Sequence, residues 1–511
     1  MSVLGIDVGT SGCKACAFSA EGVPLARRSA SYGYISPRPD WMELDPELLW
    51  RKVRSVIRAT AREAAAARDP VCALAMATMG DSLVAVDRAN RPLSNYILYS
   101  DRRSVSQAGV LASRIGPGRL YEITGMPPHP MHTITKILWM MENQPELCAS
   151  ASHFLCCEDF LISKLGLRAV MSHANACRTM AFSIAHNCWS EEVLAAAGVS
   201  RERLPDVCPS GHVVGIVPAG VARQLGLGRD VRVVAGGLDQ PCGVLRSKAT
   251  SHGDVQNAIG TQEILAFTVP RGRLTNDMFR RLSSGRYSIN SHVLDDAYMI
   301  MGMVISPGLT LRWLADLIRR DGRGPVRDLS PVINEALQRP PTHVTVLPHF
   351  AGRGTPGMDP RARGALIGLD LSISDLDLVR AVLQGVAYEA ALNIKEMEAI
   401  GLPTTRIRCV GGGSRSDVFL QFRADVFSRE VVRMREPEAA MVGAAALAGA
   451  AVGEWDSIEQ AVAVLNAEER LFRPDAAHAS FYQRQMELHA GLNELLKPAF
   501  EESTMLAAGG P

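Results

Sequence analysis

Six residues within eight positions near the start of the chain could grip a polyphosphate: Asp7, Gly9, Thr10, Ser11, Gly12 and Lys14. A turn this rich in glycine and hydroxyls leaves backbone N–H groups free to face an anion. Asp7 beside it could hold a magnesium ion through the ion's water shell, because Mg²⁺ prefers oxygen ligands and keeps several waters. The alternative is a solvated β-turn. Asp239 follows Gly236 and Gly237 at the end of an apolar stretch. A carboxylate there is costly unless paired or used, and a general base that takes a proton from a substrate hydroxyl suits it. The alternative is a turn aspartate bonded to local backbone N–H groups. Asp81, after Gly80, ends another apolar stretch and could accept from two neighbouring sugar hydroxyls, or stand as a loop acid. Asp101, Arg102, Arg103 and Lys136 could line a cleft, although each alone reads as a surface charge.

The elements that must position these groups alternate between strands and helices. Val3 to Ile6 and Lys14 to Ser19 predict a hairpin around the first turn, within a meander of three strands that ends near Ala30. A helix is expected from Pro46, with Asp45 as cap and proline in its first turn. Cys72 to Ala77 and Val231 to Ala235 are apolar strands that deliver Asp81 and the Gly236–Gln240 segment. The second half opens with a strand, Val255 to Ile259, the turn Gly260-Thr261-Gln262-Glu263, and a second strand. That repeats the strand–Gly-Thr–strand pattern of the opening and suggests a duplication. Arg406 to Val410 then leads through Gly411-Gly412-Gly413-Ser414 into a helix from Ser416 to Phe427. Triple glycine lets backbone approach a ring or phosphate closely, although an ordinary strand-to-helix turn would also use it. Such alternation predicts α/β domains with mixed sheets.

Composition excludes several classes. With 54 Lys+Arg against 53 Asp+Glu the chain has no global field for nucleic acid or an anionic membrane. The longest apolar run, Ala439 to Gly453, is too short for a membrane span and reads as a tightly packed buried helix. Met1-Ser2 leads straight into a strand, which predicts no secretory leader. Eleven scattered cysteines point to reduced thiols and a cytoplasmic location. Cys13 and Cys16 form a CxxC, but residues three apart in a strand face opposite sides, so a shared metal is not expected. Neither GxxxxGK[ST] nor GxGxxG occurs, and the histidines show no metal spacing.

Taken together, the motifs resemble the FGGY family of carbohydrate kinases over nearly the whole chain. Asp7-x-Gly9-Thr10-x-x-x-Lys14 is similar to its first phosphate motif, and Trp41-Met42-Glu43-Leu44-Asp45-Pro46 to its Trp-x-Glu-x-Asp-Pro segment. Gly236-x-x-Asp239 with Gly243 resembles the stretch bearing its catalytic aspartate. Gly253-Asp254 through Gly260-Thr261 is similar to the second phosphate loop. Gly364 to Leu369 through Glu389 resembles the C-terminal signature, and Gly411-Gly412-Gly413 through Ala444-Ala445 the adenosine region.

The resemblance implies a two-domain actin-like ATPase (ribonuclease H-like) α/β fold with mixed sheets and a central cleft. Residues 1–247 would carry the sugar site, first phosphate loop and catalytic aspartate, and residues 248–511 the adenosine site and second phosphate loop. It implies ATP-dependent phosphorylation of a hydroxyl on a small sugar or polyol. Asp239 would be the base, and Asp7 would belong to the Mg²⁺ site. Thr10, Ser11, Lys14, Gly260 and Thr261 would face phosphates. Gly308, Gly412, Gly413 and Ser416 would lie on the nucleotide side, Ser416 standing where related kinases often have Asn. Gly80, Asp81, Met131, Asp239 and Gln240 would line the sugar site. Xylulokinases usually show Met-His, and glycerol kinases Arg-Glu, where this chain has Gly80-Asp81. Gly80 is expected to leave space there, while Asp81 and Gln240 follow the glycerol-kinase pattern. Met131 stands where glycerol kinases have Tyr, and Tyr99 replaces the usual Trp. The substrate is narrowed to a ketose or linear polyol of four to six carbons. No nucleic-acid or membrane partner is expected, and a homodimer is left open. The competing classes are an actin-like conformational ATPase and a catalytically inactive sugar-binding regulator.

Overall fold

The computed structural model describes residues 1–250, 253–260, 262–318, 328–434, 439–465 and 468–509; Thr261 lies outside them. The chain forms two compact units. The first comprises Met1–Lys248, Ile289–Met299 and Glu438–Asn466, and the second Ala249–Ser288, Ile300–Pro437 and Ala467–Pro511.

The first unit is built on a six-stranded mixed sheet. Its strands are β1 (Ser2–Val8), β2 (Gly12–Phe18) and β3 (Pro24–Ser31), followed after helix α1 (Pro46–Ala66) by β4 (Val71–Thr78), β5 (Val213–Ile216) and β6 (Arg232–Leu238). They lie in the order β5-β6-β4-β1-β2-β3. β1 pairs antiparallel with β2 and parallel with β4, and β6 runs parallel to β4. The predicted meander and the predicted α1 are both present. Asp45 caps α1 by accepting from the Glu47 amide, and Pro46 occupies the first turn, where its missing N–H costs nothing.

Side-chain alternation gives this sheet two different faces. Leu4, Ile6, Val8, Leu74 and Met76 pack with Leu49, Val53 and Ile57 of α1. Val3, Ala73, Ala75 and Ala77 face Met441, Ala444, Ala445 and Leu447 on the other side. Cys13 joins the first core and Cys16 the second, as the period of two requires. The small residues of the second face admit the helix Ala439–Val452 at close range. A Cβ on Gly5 would stand 2.2 Å from the Met441 carbonyl oxygen, and one on Gly443 would stand 2.0 Å from that of Cys242. The apolar run is thus a helix buried on nearly every side, which is why it carries no polar face.

β6 departs from the expected strand. It continues through Gly236 and Gly237 to Leu238 instead of stopping at Ala235, with a register shift against β4 between Val234 and Gly237. A Cβ at Gly236 would lie 1.9 Å from the Met76 carbonyl oxygen. The glycines serve close strand approach at a bulge, and the helix α2 (Asp239–Arg246) begins directly after it.

Five neighbouring strands of the second unit repeat this pattern. They are β7 (Asp254–Ile259), β8 (Glu263–Pro270), β9 (Arg406–Val410), β10 (Glu430–Met434) and β11 (Glu468–Phe472), in the order β8-β7-β9-β10-β11. β7 pairs antiparallel with β8 and parallel with β9; β9–β10 is parallel and β10–β11 antiparallel. β2-β1-β4-β6-β5 of the first unit has the same sequence of pairings. The hairpin echo in the sequence therefore extends to a five-strand topology. Two helices matter for the site in this unit: α3 (Ser330–Gln338) and α4 (Asp417–Phe427).

Candidate active site

In the first unit, the β1–β2 turn is closed by the Gly9 amide donating to the Gly12 carbonyl at 3.0 Å. Tyr32, at the end of the meander, holds this turn from within. Its hydroxyl hydrogen is shared between the carbonyls of Gly9 at 2.5 Å and Gly12 at 2.9 Å, and its amide donates to the Ser11 carbonyl at 3.1 Å. Three acceptors of the turn are thereby occupied, so what remains is richer in donors. Thr10 is half-buried and Ser11 exposed at the tip. Asp7 and Lys14 are direct partners in the β1–β2 register, so their side chains emerge on the same face of the sheet. That face is also the one against which α2 packs, since Val3 and Cys242 share a core.

α2 places Asp239 at its first position, half-buried, with the Gln240 amide donating to Oδ1 at 2.7 Å. Burial, and then the charge of Asp7, push the Asp239 carboxyl up to about 7. The repulsion between these acids is what a divalent cation would relieve, and one or two carboxylates completed by water and phosphate suit Mg²⁺. Among the described residues there is no group of three or more His, Cys, Asp and Glu able to hold a metal alone.

Asp81 is clamped from three sides. It sits in the left-handed region at φ +59° and is 4% exposed. Oδ2 accepts from Arg178 Nε at 3.0 Å and lies 2.9 Å from its Nη2. Oδ1 lies 3.0 Å from His132 Nδ1, which is also 2.9 Å from the Arg178 carbonyl. Both neighbours are acceptors, so Nδ1 carries the hydrogen. Lys136 Nζ donates to the backbone carbonyls of Asp81 at 2.6 Å and of Met131. Arg178 Nη1 in turn donates to Asn290 Oδ1 at 3.0 Å. Burial opposes the charge on Asp81, but the Arg178 guanidinium and the His132 hydrogen bond outweigh it and hold the carboxyl below the usual range. Burial lowers the Lys136 ammonium to about 8, with Asp81 opposing that shift.

Several expectations change against this geometry. Gly80 leaves no space: a Cβ there would stand 2.5 Å from Leu238 Cδ1 and 3.5 Å from Arg178 Cγ. Lys136 is fully buried instead of lying on the surface. Asp101 is also buried; it accepts from Arg103 Nε at 2.9 Å and the Met42 amide at 2.6 Å. Arg103 also covers the Trp41 ring at 3.7 Å and pairs with Glu43, so Asp101 and Arg103 fix the Trp41–Glu43 segment instead of lining a cleft. Met131 packs on the clamp, with its sulfur 3.7 Å from Arg178 Nη2. Tyr99 is 43% exposed; burial of its ring and the charges of Asp239 and Asp81 raise its hydroxyl. Asp7, Asp81, Asp239 and Tyr99 are therefore brought into one electrostatic neighbourhood. Arg178, His132 and Asn290 were missed from sequence. The signal in the sequence was Arg178 itself, the one Lys, Arg, Asp or Glu between Arg168 and Glu191.

In the second unit, the Gly260 amide donates to the Gln262 carbonyl at 3.0 Å. Glu263 at the start of β8 anchors that turn by accepting from Asn257 Nδ2 at 2.9 Å and pairing with Arg423 of α4. Gly308 is the second residue of the helix Pro307–Ile318. Gly411 and Gly413 press on β7: their Cβ atoms would meet Ile259 at 2.5 and 2.3 Å, whereas at Gly412 nothing lies within 4 Å. Ser416 caps α4, its hydroxyl accepting from the Phe419 amide at 3.1 Å.

Sequence models of the FGGY family of carbohydrate kinases match twice, the N-terminal domain over residues 2–245 and the C-terminal domain over residues 275–452. A glycerol kinase of Bordetella parapertussis is 30% identical over 483 residues, 92% of each chain. A xylulose kinase of Staphylococcus epidermidis is 26% identical over 501 residues, 97% of each chain. The crystal structure of xylulose kinase from Rhodospirillum rubrum superposes with a TM-score of 0.89 at 24% identity, covering 98% of this chain and 100% of that one. The fold is the two-domain actin-like one.

Proposed function

The chain belongs to the FGGY family of carbohydrate kinases, and from that premise we propose how its own residues perform ATP-dependent phosphorylation of a sugar or polyol hydroxyl. The observation that carries the reading is Asp239, half-buried at the start of α2 beside Asp7 and Asp81, with its carboxyl raised to about 7. An acid of that strength is half-ionised near neutrality, which is where a general base works best. Asp239 accepts the proton of the substrate hydroxyl as that oxygen attacks the γ-phosphorus of ATP; the bond from that phosphorus to the β,γ-bridging oxygen breaks and ADP leaves. Asp81 stays ionised and fixed, and accepts from other hydroxyls of the same substrate. Tyr99, Met131 and Gln240 border it, and Gly80 permits the close packing behind it.

Kinases of this family use ATP and typically Mg²⁺. When bound, Mg²⁺ neutralises charge on the transferring phosphoryl group. Asp7 is the residue of the first unit that would hold it through water. The Thr10–Ser11 tip and Lys14 would face the phosphates, and in the second unit the phosphate-loop residues are Gly260 and Thr261, the latter outside the described residues. Gly308, Gly412 and Gly413 would lie on the nucleoside side. We place the enzyme in the cytoplasm, a reading supported by its free cysteines. No helix among the described residues is long and apolar enough to cross a membrane.

The substrate is read as a ketose or linear polyol of four to six carbons. An ADP-release assay with Mg·ATP against polyols, ketopentoses, ketohexoses and aldonates tests it. Turnover confined to one stereochemical group of four to six carbons supports the reading. ADP release that no sugar stimulates would instead favour a conformational ATPase, the class that family membership leaves without support.

A further inference from the structure

Ser416 has its one hydroxyl hydrogen committed and one of its two lone pairs used. Its hydroxyl oxygen accepts from the Phe419 amide at 3.1 Å, and its hydrogen goes to Asn334 Oδ1 at 2.6 Å. Asn334 projects from α3, where asparagine is a weak helix former. It is half-buried. With Oδ1 taken by Ser416, the amide plane is fixed and its NH₂ group points to the opposite side. Among the described residues, no acceptor is paired with that NH₂. The adjoining loop is shaped for a ligand at one position: Gly411 and Gly413 are locked against Ile259, while the space above Gly412 is open.

We propose that Asn334 is a nucleotide-binding residue of this kinase, its NH₂ donating to an acceptor of the nucleoside (a purine ring nitrogen or a ribose hydroxyl oxygen), with Ser416 as the group that orients it. This rests on the reading of the Gly411–Ser416 loop as the nucleoside side. In this arrangement the serine holds the amide's oxygen so that donors alone are presented. Aspartate at 334 would offer acceptors in their place and repel the same atoms of the nucleotide.

The test is calorimetric titration of the full-length protein with Mg·ADP, together with KM for ATP, KM for the sugar and kcat. Asn334→Ala and the isosteric Asn334→Asp are expected to weaken Mg·ADP binding about tenfold, as loss of one good hydrogen bond does. KM for the sugar should stay unchanged and kcat within about twofold. Ser416→Ala, which frees the amide to rotate, should give a smaller loss of about threefold in the same direction. Gly412→Val, which fills the open space, separates the two levels. If Gly412→Val weakens Mg·ADP while both Asn334 variants bind like the parent, the assignment of Asn334 is overturned and the loop reading stands. If all the variants bind like the parent, the loop is not the nucleoside side and the proposal falls with it.

Discussion

Gly80 and Leu238 compete for one place: a Cβ on Gly80 would stand 2.5 Å from the δ-methyl of Leu238. Each precedes an acid of the candidate site, Asp81 and Asp239, so their contact bears on how the acid proposed to hold the sugar and the proposed base stand with respect to each other. The colliding atom is the end of a flexible side chain and can rotate away, but the neighbouring acids would shift with it. Gly80→Ala is therefore expected to cost stability at the low end of overpacking, about 1 kcal/mol, yet to lower kcat/KM at least tenfold. Gly80→Ala combined with Leu238→Ala should recover part of that loss. Absence of recovery in the double variant would show that the contact does not transmit the effect.

Asp239→Asn keeps the shape of the side chain and removes its basicity. It should lower kcat by about 10²- to 10⁴-fold, while the dissociation constant for the sugar, measured by calorimetry, changes little. Equal loss of sugar affinity and turnover would make Asp239 a structural acid.

The pH profile follows from the same group. The Asp239 carboxyl titrates near 7, raised by burial and then by Asp7. In the proposed role the ionised form is the base, so kcat/KM should fall about tenfold per pH unit below 7 and level off above it. Stability runs the other way. The folded state holds this proton more tightly than the unfolded chain, where the value is 3.8. The carboxyl's contribution to stability is full below that value and is lost as pH rises through about 7. Asp239→Asn should raise Tm relative to the parent at pH 8 and not at pH 4.

Asp81→Asn leaves Arg178 and Lys136 buried without their counter-charge. Breaking one side of a buried pair typically costs about 3–5 kcal/mol, so a fall of that size in denaturant unfolding is expected, together with a raised KM for the sugar. Removing both charges, as Asp81→Asn with Arg178→Met, should cost less than the sum of the single changes. Because the folded Asp81 is held below its ordinary range, its stabilisation is present above the unfolded value and lost on acidification.

Tyr32→Phe removes the hydrogen shared by the Gly9 and Gly12 carbonyls and leaves the ring in place. The cost in stability should be about 1 kcal/mol. A several-fold rise in KM for ATP with KM for the sugar unchanged is the expected kinetic signature. Equal effects on both KM values would mean the turn does not face phosphate.

What was legible in the sequence was what is local. The β1–β2 hairpin, the Asp45 cap and Pro46 start of α1, and the burial of the alanine-rich helix are each decided by a few adjacent residues. Cys13 and Cys16 were separable because alternation in a strand is local too. The clamp on Asp81 was not legible, because Asp81 meets His132 from 51 residues away and Arg178 from 97, and Arg178 meets Asn290 across 112. Lys136 stands in the apolar run Ile134–Met141, but its hold on Asp81 is made across 55 residues of chain and only the Met131 carbonyl is local. The glycines before Asp239 were read as following a strand that ends at Ala235, whereas they belong to it and let β6 lie against the backbone of β4.

The helix Ala439–Val452 also bears on how the gene could be divided. The chain passes between the two units five times, and this late segment belongs with the first. A fragment ended at Lys248 would contain every residue of the Asp81 clamp except Asn290, but it would lack the helix that covers Gly5 and the alanines of β4. An open apolar face of that kind invites aggregation. The first half is thus not a transferable module. Complementation by two separately expressed fragments would need the residues from 439 onward, supplied in trans, before the first half could fold.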